Sequence, residues 1–232
     1  MNKNIILVGI GGLVIGLVVG FFTANSINRS ALTTQQTSAS NQSNAPFADQ
    51  STGAPVAGNL TGGMLNDVQE KLDKAQAEPN NFAAQMIAGD MYAQIGRYDK
   101  AFEFYQKGVQ LNPKSFEANV QLANAYFDNK QFENAEKYYS LALEINPKDI
   151  NARTDLGTTF VERQTPNYER GISEFNKVLE IEPKHEPTLY NLGVAYSRMN
   201  DAENAQKTLA RLEQTNAASP LVGKLRQILT TK

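Results

Sequence analysis

Hydrophobic patterning divides the 232 residues into three regimes. Ile5–Ala24 is an unbroken apolar run with no charge in it. Residues 25–63 are small and polar, rich in Ser, Thr, Asn, Gln, Ala and Gly. From residue 64 onward, apolar positions recur three and four apart, the spacing of a buried helix face. Leu65, Val68, Leu72 and Ala75 predict a helix over about Met64–Ala77, with Asp67, Glu70 and Asp73 on its other side. Beyond Phe82 the pattern comes in pairs of segments, each pair closed by proline. Pro79, Pro113 and Pro147 stand 34 residues apart, and Pro183 follows after 36. Proline ends helices. The ladder therefore predicts a two-helix unit repeated in tandem, an all-α solenoid.

Small and large residues alternate inside each unit in a fixed order. Unit one carries Gly89 and Tyr92 in its first helix, then Ala101, Tyr105 and Gly108 in its second. The equivalents are Ala123, Tyr126, Ala135, Tyr139 and Ala142 in unit two, and Gly157, Phe160, Gly171, Phe175 and Val178 in unit three. Unit four has Gly193, Tyr196, Ala205, Leu209 and Leu212. A small residue lets two helices approach, and a large one fills the space beside it. Ala135 is thus expected to be buried between helices, and Tyr126, Tyr139, Phe160, Phe175 and Tyr196 to be core. Two extra residues near Gln164-Thr165-Pro166-Asn167 lengthen the turn of unit three. Ala217 replaces the closing proline of unit four, and Pro220 opens a last helix whose Leu221, Leu225, Ile228 and Leu229 would cover the stack.

Leu156-Gly157, Leu192-Gly193-Val194-Ala195-Tyr196, Ala135 with Tyr139 and Ala142, and the proline ladder resemble the tetratricopeptide repeat family. The resemblance covers Phe82 to about Leu212. It departs from the family near the start of each first helix, where Gln85, Asn119, Arg153 and Leu189 replace the usual aromatic. It implies a right-handed superhelix of four repeats whose first helices line a concave groove for peptides. Carried over, the groove positions are Met86, Asp90 and Gln94; Val120, Asn124, Phe127 and Asp128; Thr154, Thr158, Val161 and Glu162; and Tyr190, Asn191, Val194 and Arg198. Among these, three acids face one base, which favours a neutral or mildly basic segment. The carboxylate clamp of some relatives is not supported, since its places hold Met86, Asp90, Val120, Gln121 and Asp155.

Composition narrows the chemistry. There are no cysteines and one histidine, which excludes thiolate metal sites and disulfides. His185 follows Pro183 in a connection between units, where it reads as solvent-facing rather than catalytic. No phosphate-cradling glycine loop is present, so neither an enzyme nor a cofactor is expected. A formal charge of −2 argues against nucleic acid as a partner.

The apolar run is long enough to span a bilayer as a helix. Gly12, Gly16 and Gly20 lie on one face of it, a stripe suited to contact with a second transmembrane helix. Lys3 before the span and Arg29 after it leave the N-terminus cytoplasmic by the positive-inside rule. A cleaved signal peptide, releasing a soluble periplasmic protein, is the alternative. The linker, as a flexible coil, would reach roughly 35 Å. The organisation read from the chain is a transmembrane signal-anchor at 1–24, a disordered linker at 25–63 and a repeat domain at 64–232. Within the last are a capping helix at 64–78, repeats at 82–115, 116–149, 150–185 and 186–217, and a second cap at 220–231. The implied function is a protein- or peptide-binding module tethered to the inner (plasma) membrane with its repeats on the periplasmic or extracellular side. Envelope protein assembly such as cytochrome c maturation is the named possibility. A self-associating membrane scaffold, hence a homo-oligomer, is the competing one.

Overall fold

The structure, a computed structural model, describes the backbone of residues 58–231 and side chains from Val68 onward. The expected membrane helix with Gly12, Gly16 and Gly20, and the linker as far as residue 57, lie outside the described residues. Among the described residues, no helix is long and apolar enough to cross a membrane.

Helix α1 spans Gly58–Ala77, and four hairpins follow it. They pair α2 (Phe82–Gln94) with α3 (Tyr98–Leu111), α4 (Phe116–Asp128) with α5 (Phe132–Ile145), α6 (Ile150–Glu162) with α7 (Tyr168–Ile181), and α8 (Glu186–Arg198) with α9 (Ala202–Thr215). Helix α10 is Pro220–Thr230. The described residues contain no strand. Because α1 begins at Gly58 and not near Met64, residues 58–63 are helical where linker was expected. Once nucleated, a helix gains one backbone bond for each residue added.

Local chemistry sets the boundaries. Two places after each of the first three ladder prolines, a side chain caps the next first helix: Asn81, Ser115 and Asp149 accept from the backbone N–H of Ala84, Ala118 and Ala152, whereas His185 after Pro183 makes no such bond. Inside the hairpins, Gly96, Lys130 and Asn200 take the left-handed conformation that reverses the chain tightly, with φ of 72°, 58° and 60°. The same long-span bond recurs in each turn, from Arg97 N to Tyr92 O, Gln131 N to Tyr126 O and Asp201 N to Tyr196 O, at 2.8–2.9 Å. The longer third turn keeps the same closure, from Asn167 N to Phe160 O at 2.8 Å. Its extra residues are accommodated without altering the hairpin. Glu136 pins this turn, bonded to Arg163 at 2.7 Å and Arg170 at 2.9 Å, while both guanidinium groups lie over the Phe160 ring.

The core follows the small–large order. Ala101, Ala135, Ala142, Ala205, Tyr105, Tyr139, Phe160 and Phe175 are buried, with Ala135 at 0% exposure, whereas Tyr196 is only partly buried. At three of the four places where the sequence departs from the family, a polar side chain reaches back to the preceding unit or cap, while Leu189 at the fourth is buried in the core. Gln85 donates to the carbonyls of Ala75 and Glu78, Asn119 to that of Pro113, and Arg153 to that of Pro147. They satisfy carbonyls at the ends of helices and ladder turns that an aromatic ring could not.

Candidate functional site

Curvature identifies the candidate surface. Helix α2 touches α4, and α6 touches α8, while successive second helices make no contact of that extent. Two of the three successive pairs of first helices are thus in contact to that extent, all but α4 with α6, and no successive pair of second helices is, which puts the first helices on the inner side of the curve. Their side chains there hold the candidate residues, but at different depths.

Met86, Thr154, Val161 and Val194 are buried and are removed from the groove lining. The thioether of Met86 fills the space above Gly108, and Val161 packs against Gly171. Thr154 donates to Ile150 O at 2.7 Å, so Thr188 donates to Thr154 at 2.6 Å, and Thr188 in turn accepts from His185 Nδ1 at 2.7 Å. That chain of bonds ties unit three to unit four and fixes the proton of neutral His185 on Nδ1. His185 is half-buried at the N-cap of α8 and not solvent-facing as its place in the chain suggested.

The other positions remain available on the surface. Asp90, Val120, Asn124, Phe127, Thr158, Glu162, Tyr190 and Asn191 are partly buried, and Gln94, Asp128 and Arg198 are exposed. Phenols from the second helices fix two of them: Tyr105 donates to Asp90 and Tyr139 to Asn124, each at 2.6 Å. Asn191 donates to Thr158 at 3.0 Å, bridging α8 to α6. Arg198 pairs with Glu162 at 2.9 Å and also donates to Val161 O. The one base of the set is thus already neutralised by one of its acids.

Spacing alone assigned no groove role to Asp155. It stands one place beyond Thr154, in the row that holds Ile87, Gln121 and Asn191 in the other units. Ile87 is 41% exposed, and Gln121 Oε1 is buried with no hydrogen-bond partner among the described residues. Burial, then the nearby carboxylates Asp149 and Asp128, push the Asp155 carboxyl up to about 7. The same surroundings raise Tyr139, through burial first and then Asp155 and Asp128. The clue in the sequence was an acid in a row otherwise filled by an aliphatic and two amides.

Elsewhere, a cleft of about 350 Å³ between α9 and α10 is lined by residues including Leu209, Glu213, Arg226 and Leu229, away from the inner face. Among the described residues, no group of three His, Asp or Glu side chains could hold a metal ion.

The tetratricopeptide repeat model matches residues 92–156 and 166–229. Solved structures share the fold at low identity. YrrB, described as a TPR protein with an unusual peptide-binding site, is 22% identical with a TM-score of 0.61, over 71% of this chain and 86% of its own. MamA from Desulfovibrio magneticus RS-1 is 20% identical with a TM-score of 0.61, over 69% of this chain and 89% of its own. A thermophilic TPR protein from Thermus thermophilus, TTC0263, is 17% identical with a TM-score of 0.54, over 65% of this chain and 82% of its own. No curated protein matches the chain significantly in sequence.

Proposed function

The chain belongs to the tetratricopeptide repeat family, and on that premise we propose that it binds a protein segment along the inner face of its first helices. The observation that carries this reading is the inner row itself. It combines partly buried Val120, Phe127 and Tyr190 with amides and acids held by Tyr139 and Tyr105. Prepositioned polar groups between apolar pads lower the ordering cost of binding an extended chain. The peptide-binding site described for YrrB supports the same reading by analogy of fold.

The tether belongs to the proposal. Ile5–Ala24 would anchor the chain in the inner membrane with the repeats outside the cytoplasm. Release of the protein by alkaline carbonate washing of membranes would remove that part. Cytochrome c maturation rests on architecture alone, and failure to capture unfolded apo-cytochrome or its C-terminal peptide excludes it.

Site-specific photocrosslinking in membranes tests the binding face. A photoreactive residue at Asn124, Phe127 or Tyr190 is expected to trap a partner, and one at Glu144 or Gln110 on the second helices is not. Partners trapped only from the second helices would overturn the proposal.

A further inference from the structure

Asp155 stands apart from the other charges of the inner face. Asp90 is held by Tyr105, and Glu162 by Arg198. Among the described residues, the Asp155 side chain makes no hydrogen bond and no ion pair. The titratable groups that face it are Asp128 at the end of α4, Tyr139 on α5 and Asp149 ahead of α6, and none of these is a cation. The Asp155 carboxylate reaches solvent at the groove, but among the described residues no side chain offers it a donor or a counter-charge, so its partial burial is costly.

Resting on the inner-face reading above, we infer that this surface selects an extended segment bearing lysine or arginine. Its cation pairs with Asp155 between α4 and α6, and its flanking aliphatic groups rest on Val120 and Phe127. Charge complementarity decides the occupant. A cation supplies both the charge and the N–H donors that Asp155 lacks, and the neighbouring carboxylates of Asp128 and Asp149 reinforce it. An acidic segment would add a further like charge, and a neutral one would leave the carboxylate unmatched, so both are disfavoured. Since Asp155 titrates at about 7, a basic ligand also has to expel its proton, which makes binding weaker in mild acid.

The test is selection of a random-peptide phage library on the full chain at about pH 8, repeated on Asp155→Asn. Wild type is expected to enrich peptides with Lys or Arg between aliphatic residues that protect Asn124 and Phe127 from crosslinking. The variant is expected to lose the basic preference while melting as a folded protein. The best peptide is expected to bind wild type about tenfold or more weaker at about pH 5.5 than at about pH 8, and the variant with no such slope. Inner-face peptides without basic preference, or unaffected by the substitution, overturn the assignment and leave the inner-face reading standing. A second copy of the chain taking the face instead of a peptide also overturns it. If no peptide reaches the inner face, both readings fall.

Discussion

The Asp155 carboxyl binds its proton up to about 7 in the folded chain, against an ordinary value of 3.8, so folding and ionisation oppose each other there. Between those values the folded state holds a proton that the unfolded state has lost. The contribution to stability is complete below about pH 4 and disappears as pH rises through about 7. One pKa unit is worth about 1.4 kcal/mol, which bounds the effect at about 4 kcal/mol; partial access to the groove reduces it. Asp155→Asn is therefore expected to raise the melting temperature at about pH 8 and to leave it nearly unchanged at about pH 4. Two other groups pull the opposite way. Burial lowers His185 against the pull of Glu182 and Glu186, so its contribution is full above about 6.5 and is lost as pH falls below that through its depressed folded value. Burial raises Glu174, but bonds from Lys177 and Arg153 outweigh it and hold the carboxyl below the usual range. The difference between variant and wild type removes both, and a difference that is flat with pH would refute the account. The same residue then sets the stability profile and the proposed ligand preference, as expected of a site kept for binding at some expense to folding.

At the scale of helices, two glycines bring the backbones of α6 and α7 against each other in unit three. A Cβ on Gly171 would lie 2.7 Å from Val161 Cγ2 and 2.9 Å from Gly157 O, and one on Gly157 would lie 3.1 Å from Gly171 O. The corresponding second-helix residues elsewhere are Ala101, Ala135 and Ala205. In Gly171→Ala, helix propensity gains about 1 kcal/mol, whereas overlap with the facing backbone costs about 1–3 kcal/mol. Net destabilisation of up to about 2 kcal/mol in urea unfolding is expected, and a stabilised variant would show that α6 and α7 can separate at no cost. This crossing was legible in the sequence, because Gly157 and Gly171 occupy the small places of the repeat. So were the helix pairs and the irregular turn, both of which follow from local spacing. The depth of each inner position was not. Helical spacing assigns a side chain to a face but does not say how far the adjacent unit covers it, and that decided the burial of Thr154, Val161 and Val194. Nor did it show that Gln85, Asn119 and Arg153 bind carbonyls in the preceding unit, since those partners lie 6–10 residues back across a turn.

Over the whole repeat domain, each unit contacts only its neighbours, so stability is close to a sum of unit and interface contributions. The buried side chains form two principal clusters that divide at α6, one running from Met86 to Phe160 and the other from Val161 to Leu225. A third, small cluster joins Ala75 of α1 to Ala84, Ala88 and Phe104. The two ends are therefore closed separately, by α1 through Ala75 and by α10 through Val222 and Leu225. Leu225 is fully buried against Gly193, where a Cβ would come within 2.5 Å of it. Leu225→Ala removes the side chain that fills this gap, and truncations of this type cost about 2–5 kcal/mol. In a solenoid governed by neighbours, that loss should stay near its origin. Hydrogen exchange of the variant is expected to accelerate in α8, α9 and α10, to fade across α7, and to leave α2, α3 and α4 protected as in wild type. The partition at α6 also places Asp155 on the boundary between the clusters, so the Asn124–Tyr139 side of the groove should keep its order when the far end frays. Equal loss of protection in every helix would mean that the clusters unfold as one, and the division at α6 would then carry no energetic weight.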